Sequence, residues 1–149
     1  MTNIFNSTFE VSLRVVLLLN KYDGEDLTCN MIKNIDFICT YGKDFKLTKS
    51  NLQGDNMFKL TQLPMRTHLI EESLKRLIHK GLVTLNFSEK GFVYNITEKG
   101  RTYSSSFTSD YARKYEKLVC KVKKITKNKS EEEIANLLKN NYPFLKEEK

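Results

Sequence analysis

Residues 64–102, PMRTHLIEESLKRLIHKGLVTLNFSEKGFVYNITEKGRT, decide the fold of this chain. After Pro64, the apolar residues Leu69, Ile70, Leu74, Leu77 and Ile78 recur at helical spacing, which predicts a helix over 65–80 with one apolar face. Gly81 supplies the left-handed position that ends such a helix. Residues 82–87 and 91–96 read as two short strands joined by the polar turn Ser88-Glu89-Lys90-Gly91. Thr97 can cap the helix that follows, with Glu98-Lys99-Gly100 as its first turn. Helix, glycine stop, hairpin and capped helix in this order predict a winged helix-turn-helix in a mostly α fold with one small β-hairpin. A unit of this kind binds DNA or docks onto proteins.

Towards the N-terminus, Ser7-x-x-Glu10 forms a capping box at the start of a first helix. Phe9, Leu13, Val16, Leu17 and Asn20 mark one face of it, and Val15, Leu18 and Leu19 extend the apolar surface over most of the circumference. Such a helix is either central in the domain or clamped against another chain. Thr28 caps a second helix carrying Met31, Ile32, Ile35 and Ile38, with Lys33 and Asp36 between them, and Gly42 is expected to stop it. Residues 43–63 lack a clear period and are read as a packed loop or a short helix near 56–62.

Towards the C-terminus, a short helix over 97–107 breaks at 108–110. Tyr111, Tyr115, Leu118, Val122 and Ile125 then recur at steps of four and three, a seam suited to lying along another helix, within the domain or in a partner. Ser130-x-x-Glu133 opens a last helix with Ile134, Leu137 and Leu138 inward and Pro143 at its end. The expected organisation is a winged-helix domain over 1–107, with additional C-terminal helices over 108–149 packed on it.

A chain of 149 residues with 40% apolar and 29% charged residues is ordinary for a globular protein. The net charge of +7 is concentrated. Lys and Arg stand 12 to 11 against Asp and Glu over 1–98, 10 to 2 over 99–129, and 3 to 5 over 130–149. The basic stretch points to an acidic partner, nucleic acid or protein. No basic leader opens the chain, and the longest apolar stretch, 11–19, is far short of the roughly 20 residues of a membrane span. A cytoplasmic protein is expected, with no membrane partner.

Cys29 and Cys39 fall in one helix about 15 Å apart at a rise of roughly 1.5 Å per residue, so they cannot bridge each other. With Cys120 they read as reduced thiols, mostly buried. His68 and His79 have no neighbouring cysteines and do not suggest a metal site. No phosphate loop, catalytic triad spacing or calcium-loop ligand set is present, so no catalytic residue, cofactor or metal is expected, and the chain reads as no enzyme.

On the helix after Pro64, Arg66, Lys75 and Arg76 are the candidate contacts to nucleic acid or an acidic partner, and Arg66 is the residue suited to reading a base edge. Glu71 and Glu72 would meet phosphates unfavourably, and Glu89 and Lys90 cancel at the hairpin tip. Docking onto protein is therefore favoured over base reading. Arg113, Lys114, Lys117, Lys121 and Lys124 on the later helix are the better candidates for sequence-blind phosphate contact. Tyr111, Tyr115, Leu118, Val122 and Ile125 are the candidate partner-helix seam.

Several stretches, taken in order, resemble a known family. They are Phe5-Asn6-Ser7-Thr8-Phe9-Glu10-Val11 with residues 13–19, then Asp36-Phe37-Ile38 with Gly42-Lys43-Asp44-Phe45, and Met65-Arg66 through Ser73-Leu74. Lys80-Gly81-Leu82-Val83, Gly91-Phe92-Val93-Tyr94 and Ser109-Asp110-Tyr111-Ala112 complete the series. Together they are similar to the middle components of bacterial three-component ABC-ATPase (SMC-like) systems, Lamassu-type anti-phage defence among them, over roughly residues 5–118. Between Phe45 and Pro64 the family is usually richer in proline and histidine, where this chain has Lys, Asn and Gln. The resemblance implies a non-catalytic winged-helix adaptor joining an SMC/Rad50-like ATPase to a nuclease-like effector. A transcriptional regulator using residues 65–80 and the hairpin on DNA is the alternative.

Overall fold

Five of the six helices in the described chain begin at a serine or threonine that accepts a hydrogen bond from the backbone N–H three residues on. The bonds are Ser7 from Glu10 at 3.2 Å, Thr28 from Met31 at 3.2 Å, Thr97 from Gly100 at 2.9 Å, Ser109 from Ala112 at 3.1 Å and Ser130 from Glu133 at 3.1 Å. Each satisfies a donor that the first turn leaves open, and is worth about 1 kcal/mol. The computed structural model describes residues 7–52 and 63–142. The short helix expected near 56–62 and the stop expected at Pro143 lie outside the described residues.

The elements are α1 (Thr8–Lys21), α2 (Cys29–Thr40), α3 (Leu63–His79), β1 (Val83–Ser88), β2 (Gly91–Ile96), α4 (Glu98–Ser105), α5 (Asp110–Ile125) and α6 (Glu131–Asn141). The architecture is thus mostly helical with one two-stranded antiparallel hairpin. Helix α3 begins at Leu63, so Pro64 lies within its first turn, where a missing N–H costs nothing. Its far end closes as expected: Gly81 has φ 76°, Gly81 N–H donates to Ile78 and Leu82 N–H to Leu77, each at 2.9 Å. Strand register runs from Val83 opposite Ile96 to Ser88 opposite Gly91. Leu27, between α1 and α2, adds one antiparallel bridge to Tyr94, whose N–H donates to the Leu27 carbonyl at 2.8 Å.

Helix α1 is the centre of the molecule. Val11 and every residue from Val15 to Leu19 are buried, and α1 packs against α3, α5, α4, α2 and β2. Its almost continuous apolar surface is therefore covered by this chain's own elements. Helices α5 and α6 pack on α1 and α2 and share one hydrophobic core with them. Thr28 at the start of α2 hydrogen-bonds Glu131 at the start of α6.

Helix α2 stops just before Gly42 as expected, but Gly42 is not left-handed and does a further task. Helix α2 already ends at Thr40 with Tyr41 as its cap. A Cβ on Gly42 would lie 3.2 Å from Thr48 Oγ1 and 3.4 Å from Leu118 Cδ2, so glycine here permits close approach of the loop to α5. The left-handed residue is Lys46 at φ 61°, and Leu47 N–H turns back to the Gly42 carbonyl at 2.9 Å.

Candidate interaction surfaces

Three helices each carry one charge into the core, and the three charges meet at Asp36, which Tyr115 of α5 also reaches. Asp36 on α2 accepts from Arg14 Nε of α1 at 2.9 Å and from Arg66 Nη1 of α3 at 2.6 Å. Tyr115 of α5 donates to the same carboxylate at 2.7 Å, and Arg14 Nη1 donates to the Tyr111 hydroxyl at 3.3 Å. Burial alone would raise the Asp36 pKa, but the charges of Arg14 and Arg66, with hydrogen bonds from Arg14 and Tyr115, hold it below the usual carboxylate range. Burial and the Asp36 charge push the Tyr115 phenol well above its ordinary value. Arg14 is 0% exposed, so this cluster meets no ligand and acts by fixing how four helices sit together.

Arg66 therefore corrects the sequence expectation. It is 6% exposed, ion-paired to Asp36, and its guanidinium carbon lies 5.6 and 5.7 Å from the ring centroids of Phe37 and Tyr41. The first turn of α3 lies against α2, and a guanidinium entering that apolar contact needs a buried counter-charge. It is not available to read a base. Lys75 and Arg76 are exposed on the outer side of α3, and Lys75 Nζ lies 3.5 Å from Glu72.

Of the two readings of the α5 seam, packing within the domain describes most of it. Tyr115, Leu118 and Val122 are buried, with Ala112 and Val119, against the chain's own α1 and α2, and Tyr111 is half-buried against Arg14. Only Ile125, 37% exposed, is left for an outside partner. The opposite side of the same helix holds Arg113, Lys114, Lys117, Lys121 and Lys124, all exposed. Two clefts flank α5. One of about 250 Å³ lies between α5 and residues 48–52; the other, about 600 Å³, lies beside Tyr22, Cys120 and Lys124.

A further surface escaped the sequence reading. Leu85, Phe87 and Phe92 share one face of the hairpin and stay exposed, with Phe87 at 77% and Phe92 at 61%. The two rings meet edge to face, centroids 5.5 Å apart. Strand alternation put these residues on one side, yet alternation does not say whether that side is covered. Of the thiols, Cys39 is buried, Cys29 half-buried and Cys120 exposed. Among the described residues no group of three or more His, Cys, Asp or Glu could hold a metal ion, and no helix is long and apolar enough to cross a membrane.

One family model, described as ABC-three component (ABC-3C) system Middle Component 2, matches residues 4–148. No curated protein and no solved structure matches the chain.

Proposed function

The chain belongs to the ABC-three component (ABC-3C) system Middle Component 2 family, and on that premise we propose that it is a non-catalytic adaptor joining an SMC-like ATPase to an effector. As a middle component it is an accessory subunit with protein partners. In this reading the effector is nuclease-like, the setting is cytoplasmic, and the system is of the Lamassu anti-phage type. The order α1, Leu27 bridge, α2, α3, hairpin supports a winged helix-turn-helix, with Leu27 standing in for the short third strand.

The observation that carries the docking role is the uncovered aromatic face at Leu85, Phe87 and Phe92. Aromatic residues anchor protein interfaces when their pockets exclude water. A regulator that reads DNA through α3 has less support, because Arg66 is committed to Asp36 and Glu71 and Glu72 share the helix with Lys75 and Arg76. The apolar hairpin face takes the protein partner, and the lysine face of α5 meets an acidic surface.

Co-expression with the SMC-like ATPase and effector of the same three-component system tests the reading. A complex that survives size-exclusion chromatography supports it. A chain that elutes alone beside a folded ATPase and effector overturns it.

A further inference from the structure

The lysine face is larger than α5. Lys114, Lys117, Lys121 and Lys124 follow one another at steps of three and four, so they line one stripe of the helix about 15 Å long. The loop after α2 is fixed against that stripe. Lys121 Nζ donates to the Leu47 carbonyl at 3.1 Å, and Thr48, Ser50 and Asn51 wall the cleft of about 250 Å³ whose other side is Lys114, Lys117 and Lys121. Lys46 and Lys49, both exposed, flank Leu47 and Thr48 and give the same loop two more cations. Among the described residues none of these six ammonium groups pairs with a carboxylate, whereas Lys21, Lys75, Arg101 and Lys123 all do. Asp44 accepts from Tyr142 at 2.5 Å and Glu116 pairs with Lys21, while exposed Asp110, four residues before Lys114, is one carboxylate at the start of the stripe.

What such a face fits follows from what it lacks. Protein interface cores are depleted in lysine and built on aromatic anchors. The exposed large apolar residues of the described chain lie elsewhere, apart from Ile125 at the end of α5. Single-stranded nucleic acid is held by stacking its bases on aromatic rings, and no aromatic residue is exposed on this stripe. A duplex presents about one negative charge per 1.7 Å of axis, so a 15 Å row of cations faces roughly nine phosphate charges. Lysine ammonium groups are point charges that neutralise phosphates, and contacts to phosphate carry no base code.

We propose that α5 and the loop of residues 46–51 together bind the phosphate backbone of duplex DNA, irrespective of its sequence. The proposal rests on the reading of α5 as the adaptor's charged contact and adds the partner and the loop. Binding of the full chain to fluorescent duplexes of unrelated sequence, followed by anisotropy, tests it. All duplexes should bind alike. Affinity should fall with a log–log salt slope of about −4 to −5, the value for five or so phosphates, or roughly 10²–10³-fold between about 50 and 200 mM salt. The double variants K46E/K49E and K114E/K117E should each flatten that slope by about 2, with melting unchanged. Charge reversal of Lys75 and Arg76 should leave it as it is.

A slope near zero, an unaltered slope in K46E/K49E, or tighter binding to single strands would overturn the proposal. So would tighter binding to poly-glutamate at equal charge, which would make this an acidic-protein site. A chain that joins the ATPase but ignores duplex DNA at about 50 mM salt, where phosphate contacts are strong, sinks the phosphate face alone. One that binds duplex and ignores the ATPase sinks the adaptor alone.

Discussion

Tyr115 donates a hydrogen bond to Asp36 at 2.7 Å, joining α5 to α2 across 79 positions of chain. Because Arg14 and Arg66 converge on the same carboxylate, one side chain holds four helices in register. Removing Asp36 would leave two buried guanidinium groups facing each other without their counter-charge. Asp36→Ala should cost about 3–5 kcal/mol in chemical denaturation. Arg66→Ala should also destabilise the fold, and duplex affinity per folded molecule should not change.

The same carboxylate predicts an acid limb. Its folded pKa is depressed, so its contribution to stability is fully present above the unfolded value of about 3.9. It declines as pH falls through that value and is gone below the folded pKa. Urea midpoints measured between about pH 5 and pH 2 should fall steeply for the native chain and less steeply for Asp36→Asn, whose amide does not titrate in that window. Parallel curves would remove Asp36 as the source.

Gly100 offers a test in which the usual sign reverses. Alanine for glycine inside a helix ordinarily stabilises by about 0.4–1 kcal/mol. Here a Cβ would run into the backbone carbonyl of Leu82 and come within 2.7 Å of Ile96 Cγ1. Neither can retreat without opening the junction between α4 and the hairpin. Gly100→Ala should therefore lose about 2 kcal/mol or more, and its melting temperature should drop by about 4–8 °C.

The caps, the glycine stop at Gly81 and the two-residue turn at Glu89-Lys90 made most of the fold legible, because each is a local rule satisfied by local atoms. The ionic core was legible too, and residue type obscured it. Arg66 lies four positions before Ile70, on the apolar side of α3, as Arg14 lies three after Val11 and Asp36 four after Ile32. Three charges at apolar positions on three helices are the mark of a buried cluster, since one alone would be too costly to desolvate. Residues 43–52 carried no such signal. Their course depends on Gly42 meeting Leu118, a contact 76 positions distant that no local period encodes. The exposure of Phe87 and Phe92 was likewise beyond reach, since it depends on which elements fail to cover the hairpin.

For the hairpin, fold and function should separate cleanly. Phe87 and Phe92 are largely exposed, so F87S/F92S should change unfolding free energy by no more than about 0.5 kcal/mol for each site. If the face is an interface core, truncating the aromatic pair should cost at least about 2 kcal/mol of binding, roughly a 30-fold loss in affinity for the ATPase complex. Surface capture of the purified partner measures it. Undiminished capture by a folded double variant would place the docking surface elsewhere.

Cys120 provides a reporter on the proposed DNA face without any substitution. It lies three positions from Lys117 and four from Lys124, on the exposed side of α5, while Cys39 is sealed in the core and burial raises its thiol pKa well above the ordinary value. Cys29 is half-buried, and burial pushes its pKa up to about 11, which leaves little reactive thiolate near neutrality. Maleimide at about pH 7 should therefore modify one thiol per chain quickly, Cys120, and the other two only as the protein unfolds. Saturating duplex DNA at low salt should slow that first reaction several-fold, and raising the salt should restore it as the phosphates leave. A Cys120 rate indifferent to duplex, in a chain that nonetheless binds it, would move the contact off α5.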